Sequence, residues 1–420
     1  MSVIVKQRIH LPKKHLDYSK WAVIACDQFT SDNEYWETVK NYVSGSPTTL
    51  DLFLPEIYLT KDNSEKIKEI NKNMAAYNQN GLICDEGQCM VLVNRSTKKH
   101  PQRLGIVLAV DLEEYSFKSD EQKLIRASEG TIIERIPPRV EIRKDAIFEF
   151  PHIMLLYDDR ELNIAKNLYK DKENLEKLYD FNLNMDGGHI EGYKIKDVDD
   201  VISKFNKLLD VEYLKRTFNT ETPLLFAVGD GNHSLATAKE HWNNVKSKLT
   251  DEEIKIHPAR FALVEAVNIH DEAIKFDPIH RVVNNANKKF IRGLKKLYRV
   301  NHKKADINSY VTQKYFVGEE EVLFDLPSDT PLAIKMVQDY IDKQLEKNLD
   351  LSVDYIHGEN DLKELCKKHK NSVGIVMPKL NKSQLFAFII NYGVLPRKSF
   401  SIGEAKEKRY YFEAHKIKLI

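Results

Sequence analysis

The chain has 420 residues, 42% hydrophobic and 30% charged, too long for one ordinary core and long enough for two domains. Its 64 Lys and Arg nearly cancel its 63 Asp and Glu, which supplies none of the cationic excess that duplex nucleic acid demands. No apolar run approaches the roughly 20 residues of a membrane-spanning helix, Met1–Lys14 lacks a signal-peptide core, and Cys26, Cys84, Cys89 and Cys366 form no CxxC pair. The expectation is a cytoplasmic protein with reduced thiols and a small-molecule substrate, without nucleic-acid or membrane partners; oligomeric state stays open.

In chain order, the apolar runs Met90–Val93, Leu104–Val110, Ile153–Tyr157, Leu224–Val228, Phe261–Val267, Val373–Met377 and Leu385–Ile390 predict buried strands. Helical patterns fall between them. Ser119 and Gln122 read as a capping box opening a helix through Ile125, and Ile334, Val337, Ile341 and Leu345 recur at helical spacing. This alternation predicts a mixed α/β (α+β) fold, a mixed sheet with flanking helices and a smaller C-terminal lobe. The charged stretch around residues 285–310 sets the boundary. Residues 1–300 form the main α/β domain, and residues 301–420 an α+β lobe with a basic strand-end turn.

Arg126, Arg135, Arg139 and Arg143 surround the turn Glu129-Gly130-Thr131. The guanidinium fork matches phosphate and carboxylate oxygens, and Glu129, beside a glycine at a helix end, is placed to take a hydroxyl proton. The same charges also suit an ordinary solvated face. Asp197-Val-Asp199-Asp-Val201 matches a phosphatase pattern, but Val201, Phe205 and Leu208 follow at helical spacing, so the aspartates read as a helix N-terminus.

The segment from Leu224 to Leu249 carries the most chemistry. A buried strand ends at Val228, and Gly229 and Gly231 permit a tight turn. Leu235, Ala238, Trp242, Val245 and Leu249 then predict a helix from about Ser234. Asp230, Asn232, His233 and Ser234 are thus held at a strand-to-helix junction, where free N–H groups and the helix dipole favour phosphate. His233 suits proton transfer or a phosphate oxygen, and Asp230 suits a base, an orienting group or a cation ligand. Plain turn and cap chemistry accounts for the same residues. The turn is neither a Walker loop nor a dinucleotide fingerprint. His189, the pair His280-Arg281 and the run Arg397-Lys398-Ser399 each sit beside turn-forming residues and could line a site. No metal ligand set is assigned.

Six stretches together resemble the bacterial domain-of-unknown-function 1015 family: Trp21–Ser31, Glu129–Thr131 with Arg135–Arg139, Gly187–Gly192, Gly229–Ser234, Pro278–Arg281 and Leu395–Ser399. The likeness spans nearly the whole chain and carries no reaction. More distantly, Asp230-Gly-Asn-His233 is similar to the Asp-Gly-His-His-Arg turn of free-serine kinases on the ParB/sulfiredoxin-like fold. That resemblance implies a turn that cradles nucleotide phosphates and a glutamate, here Glu129, that acts on the serine hydroxyl. The chain departs from it at Asn232, Ser234 and Ser128, and Arg135 or Arg139 would stand in for the missing arginine. The larger family's association with serine-biosynthesis enzymes points to the same metabolite.

The implied activity is a phosphotransferase between free L-serine or O-phospho-L-serine and a nucleotide, ATP or ADP, with Mg²⁺. Glu129, His233 and Asp230 are its catalytic candidates. Gly231, Asn232, Ser234, Thr131, Arg135, Arg139, His189, His280, Arg281, Arg397, Lys398 and Ser399 are its phosphate- and substrate-binding candidates. A small-phosphomonoester hydrolase, such as a phosphoserine phosphatase, and a non-enzymatic nucleotide or amino-acid sensor are the rivals.

Overall fold

The computed structural model describes residues 2–59, 62–118, 121–297, 309–369 and 371–419. The fold is mixed α+β. The chain divides into two compact units, Met1–Ile274 with Gly403–Ile420, and Lys275–Ile402. The dividing line lies at 274/275, not at 300/301, and the last residues belong with the first unit. The reason is strand pairing: among the described residues Phe276–Asn284 pairs with strands of the second unit, whereas Tyr410–Tyr411 pairs with Val23–Ile24 and His415–Lys416 with Phe148–Glu149.

The first unit is built on a ten-stranded sheet. Its strands are β1 (Ile4–Val5), β2 (Met90–Ser96), β3 (Arg103–Asp111), β4 (Tyr115–Ser116), β5 (Ile125–Ala127), β6 (Met154–Tyr157), β7 (Glu176–Leu183), β8 (Gly188–Ile195), β9 (Phe226–Asp230) and β10 (Phe261–Asn268). Their spatial order is β7-β8-β2-β3-β10-β6-β9-β5-β4, with β1 on β3. Pairing is antiparallel from β7 to β10 and between β6 and β9. It is parallel for β10 with β6, β9 with β5, and β5 with β4.

Both faces of this sheet are covered, which is why its central strands read as unbroken apolar runs. Leu92, Ile106, Leu108 and Val110 enter one core with Phe205 and Trp242. Their alternates Val91, Val93, Val107 and Ala109 enter the other with Trp21 and Trp36. Helices of the first unit include α1 (Ile136–Arg143), α2 (Val198–Asn206) and α3 (Asn232–Lys246). Asp197 caps α2 by accepting the Asp200 N–H at 3.1 Å, the helix-start role expected of it.

The second unit has an antiparallel six-stranded sheet. It comprises β11 (Phe276–Asn284), β12 (Tyr310–Val317), β13 (Glu320–Pro327), β14 (Ser352–His357), β15 (Val373–Ile375) and β16 (Phe400–Ile402). Its helices include α4 (Thr330–Leu345), α5 (Glu359–Lys368) and α6 (Leu385–Tyr392).

Two expected elements differ. Leu385–Ile390 is helix, not strand. Leu385, Phe386, Phe388, Ile389 and Ile390 are all buried, so the run has no polar face to betray its period, and Gly393 at φ 81° ends it. The basic turn Arg397–Ser399 therefore follows a helix. The helix expected through Ile125 is also absent: Ile125–Ala127 is β5, paired on both sides, while Ser119 lies outside the described residues. Glu129 accordingly follows a strand and not a helix end. Among the described residues, no helix is long and apolar enough to cross a membrane.

Candidate active site

β5 and β9 run parallel in the register Ile125↔Phe226 to Ala127↔Val228. Both chains thus leave the sheet at the same edge, the side of a parallel pair where ligands bind. Glu129 follows β5 by two residues and Asp230 ends β9, so both stand at the ends of neighbouring parallel strands. Ser128 is fully buried, and its hydroxyl donates to the Val228 carbonyl, tying the two strand ends together.

β9 passes into α3 through Gly231 alone, so the helix opens at Asn232, slightly earlier than expected. Gly231 has φ +81°, and a Cβ there would sit 3.0 Å from the Ile153 Cα. Gly231→Ala therefore meets left-handed strain of about 1–2 kcal/mol and a tight contact with the Ile153 backbone as well. The expected result is a lower Tm and at least a tenfold loss of phosphate binding by calorimetry. Unchanged affinity would show that the turn does not hold the anion.

The first N–H groups of α3 have no acceptor within the helix. Leu235 is the first residue to close a turn, onto the Gly231 carbonyl at 3.0 Å. The N–H groups of Asn232 and Ser234 thus offer the helix's positive end to an anion. Around them, Asn232 Oδ1 and Thr131 Oγ1 are shut off from solvent without a hydrogen-bond partner, a state proteins rarely leave unfilled. His233 Nε2 accepts the Ile132 N–H at 3.3 Å. The imidazole thereby clasps the loop that carries Glu129 and Thr131 against the helix start.

Asp230 is held by two donors. Its Oδ2 lies 2.9 Å from Lys408 Nζ, and its Oδ1 accepts the Gly231 N–H at 3.0 Å. Burial alone would raise this carboxyl; Lys408, with His152 and the Gly231 N–H, outweighs it and holds the group below the usual range. Next to it, His152 Nε2 is 2.8 Å from Ser234 Oγ and 3.7 Å from Asp27 Oδ2, while its Nδ1 is 2.9 Å from the Tyr411 hydroxyl. Burial keeps the Tyr411 phenol protonated far above neutrality.

The structure thus brings together Glu129, Thr131, Asp230, Gly231, Asn232, His233 and Ser234. The arginines divide. Arg126 donates to the Lys123 and Pro223 carbonyls, Arg139 to Glu56 Oε1, and Arg143 to Glu149. Arg135 is exposed and makes no ion pair among the described residues. His189 lies on β8, where it contacts Asn182 and Asp180 at 2.8 and 2.9 Å. Five strand positions separate β8 from β9, roughly 24 Å at the usual spacing, so His189 is not at the turn.

His280, Arg281, Arg397, Lys398 and Ser399 belong to the second unit. There burial keeps His280 neutral, and its Nδ1 accepts the Met377 N–H at 3.1 Å. Arg281, wholly buried, donates to Gln338 and to the Lys398 carbonyl. Arg397 Nε donates to the Tyr355 hydroxyl at 2.8 Å, and the Ser399 hydroxyl to the Pro396 carbonyl.

Sequence reasoning missed Lys408, His152 and Tyr411, and left Asp27 unassigned inside a recognised stretch. Lys408 reaches Asp230 because the C-terminal segment is clamped from beneath. Arg95 donates to the carbonyls of Lys406 and Lys408. Arg409 lies between Glu265 and Glu413, both fully buried, with its Nη1 2.6 Å from Glu265 Oε2. Room for Glu265 exists because position 105 on the neighbouring strand is glycine; a Cβ there would fall 2.3 Å from Glu265 Oε1.

Residues 9–352 match the family described as protein of unknown function (DUF1015). The chain belongs to that family. Among curated proteins no match is found. Several solved structures are similar. A free serine kinase in complex with AMP gives a TM-score of 0.37 at 10% identity, over 74% of this family member and 92% of the kinase. A conserved hypothetical protein from Pyrococcus furiosus gives 0.35 at 11%, over 73% and 90%. A C-terminally truncated SbnI from Staphylococcus aureus gives 0.35 at 10%, over 71% and 83%.

Proposed function

We propose that this DUF1015 protein is a phosphotransferase that moves a phosphoryl group between free L-serine or O-phospho-L-serine and a nucleotide such as ATP or ADP. The observation that carries the reading is the juxtaposition, at neighbouring parallel strand ends, of a glutamate and a glycine turn opening a helix. Phosphate oxygens lie on the N–H groups of Asn232 and Ser234, with Lys408 and the exposed Arg135 as the nearby cations. Glu129 takes the proton of the serine hydroxyl as its oxygen attacks the terminal phosphorus. The bond from that phosphorus to the nucleotide's bridging oxygen breaks, and its electron pair stays with the departing diphosphate. Such a reaction asks little of the protein beyond positioning and charge stabilisation. The likeness of the Asp230–His233 turn to that of free-serine kinases adds serine as the acceptor.

Mg²⁺ is typically held by one or two carboxylates together with substrate phosphates, and Asp230, kept ionised at the turn, is a ligand of that kind. A bound ion would neutralise charge on the phosphates.

Incubation with Mg²⁺ and either ATP plus L-serine or ADP plus O-phosphoserine, followed by phosphorus NMR, tests the proposal. Phosphoserine or ATP is the expected product. Free phosphate from phosphoserine without nucleotide would assign a hydrolase, and no change under either condition would remove serine as the substrate.

A further inference from the structure

We infer that a cavity beside the start of α3 receives the heteroaromatic base of the nucleotide; the assignment rests on the phosphotransferase reading above. The cavity has a volume of about 170 Å³ and is lined by Leu52, Leu54, Ile70, Met74, Ile142 and Phe148, with Ser234, His152, Glu56 and Arg139 as polar neighbours.

Three features select the occupant. The first is continuity. Ser234 is the third residue of α3, so its N–H belongs to the phosphate-binding turn while the residue also lines the cavity. A ligand with phosphates at the turn therefore has the cavity within its own reach. The second is chemistry. Serine carries only a hydroxymethyl group and gains nothing from a chamber lined largely by aliphatic and aromatic side chains, whereas a nucleotide has one broad apolar surface, the face of its base. The third is size. Apolar cavities of roughly 150 Å³ accept a benzene ring, while whole drug-sized ligands occupy pockets of about 300 Å³ or more. The base alone fits, and the ribose and phosphates lie outside, toward Ser234. At the polar side the two Arg139 hydrogen bonds to Glu56 both go to Oε1, which leaves Oε2 to accept from a ring N–H or an exocyclic amine.

The test compares ADP with pyrophosphate, which has the phosphates and no base, by calorimetry on the full chain. The expected result is ADP binding at least tenfold tighter, with NOEs from the adenine H2 and H8 protons to the methyl groups of Ile70 and Met74. Ile142→Trp, which fills the cavity, should bring ADP down to the affinity of pyrophosphate and leave pyrophosphate unchanged. Should that variant fail to fold, the NOEs on the unaltered protein decide. Equal affinities for the two ligands, or NOEs from adenine to residues elsewhere, overturn the cavity assignment and leave the phosphate site standing. Binding of neither ligand overturns both.

Discussion

Glu129→Gln should lower phosphoryl transfer by about 10²–10⁴-fold, the usual contribution of a positioned general base, while ADP binds as before and Tm is unchanged. The substitution keeps the shape of the side chain and its capacity to accept a hydrogen bond, so the loop clasped by His233 stays in place. The negative charge and the ability to take a proton are removed. A loss in kcat with constant ADP affinity separates this from a role in nucleotide binding. Full activity in the variant would remove Glu129 from the reaction and leave His233 or Asp230 as the base.

The second large effect is expected far from any substrate atom. Arg409→Met should destabilise the protein by roughly 3–5 kcal/mol in a denaturant titration, the range for breaking a buried ion pair by removing one partner. Glu265 and Glu413 have no exposed surface, and Arg409 answers both. Without it Glu265 keeps Arg103, at 3.6 Å, with Arg95 further off, and Glu413 keeps the Tyr179 hydroxyl. Burial raises the Glu265 carboxyl, but Arg409 and Arg103 more than compensate and hold it below the usual range. Its contribution to stability is therefore present above the ordinary carboxylate range and lost as pH falls through the depressed value. In Arg409→Met burial is less opposed, so acid should narrow the gap between the two proteins. Phosphate binding should weaken too, because Lys408 adjoins the missing anchor. A stability within 1 kcal/mol of the parent would show that the network contributes little. By contrast, the exposed pair Lys99–Glu404 belongs to a class worth 1 kcal/mol or less.

The central sheet was legible because its strands are apolar on both faces, a signal that survives ignorance of their partners. The Asp230–Ser234 turn was legible because strand, glycine and helix periodicity follow one another within a short segment. The helix Leu385–Tyr392 was misread for the same reason the strands were read well: a run buried on all sides shows no period. Lys408 and His152 were illegible because neither stands in a local pattern. His152 gains meaning only from Ser234, Tyr411 and Asp27, which long-range folding brings to it. Arg139 shows the converse. Its place among four arginines suggested phosphate, but Glu56, remote in sequence, occupies it.

Lys408 reaches Asp230 only when the chain's two ends have met, since Tyr410–Tyr411 pairs with Val23–Ile24. Contacts between segments so far apart in sequence carry the largest closure entropy and tend to form late. A molecule whose sheet has formed but whose last strand has not docked holds Asp230 without its cation. On the proposed reading, a bare carboxylate then faces the phosphate site, and binding competence becomes a report on completed folding.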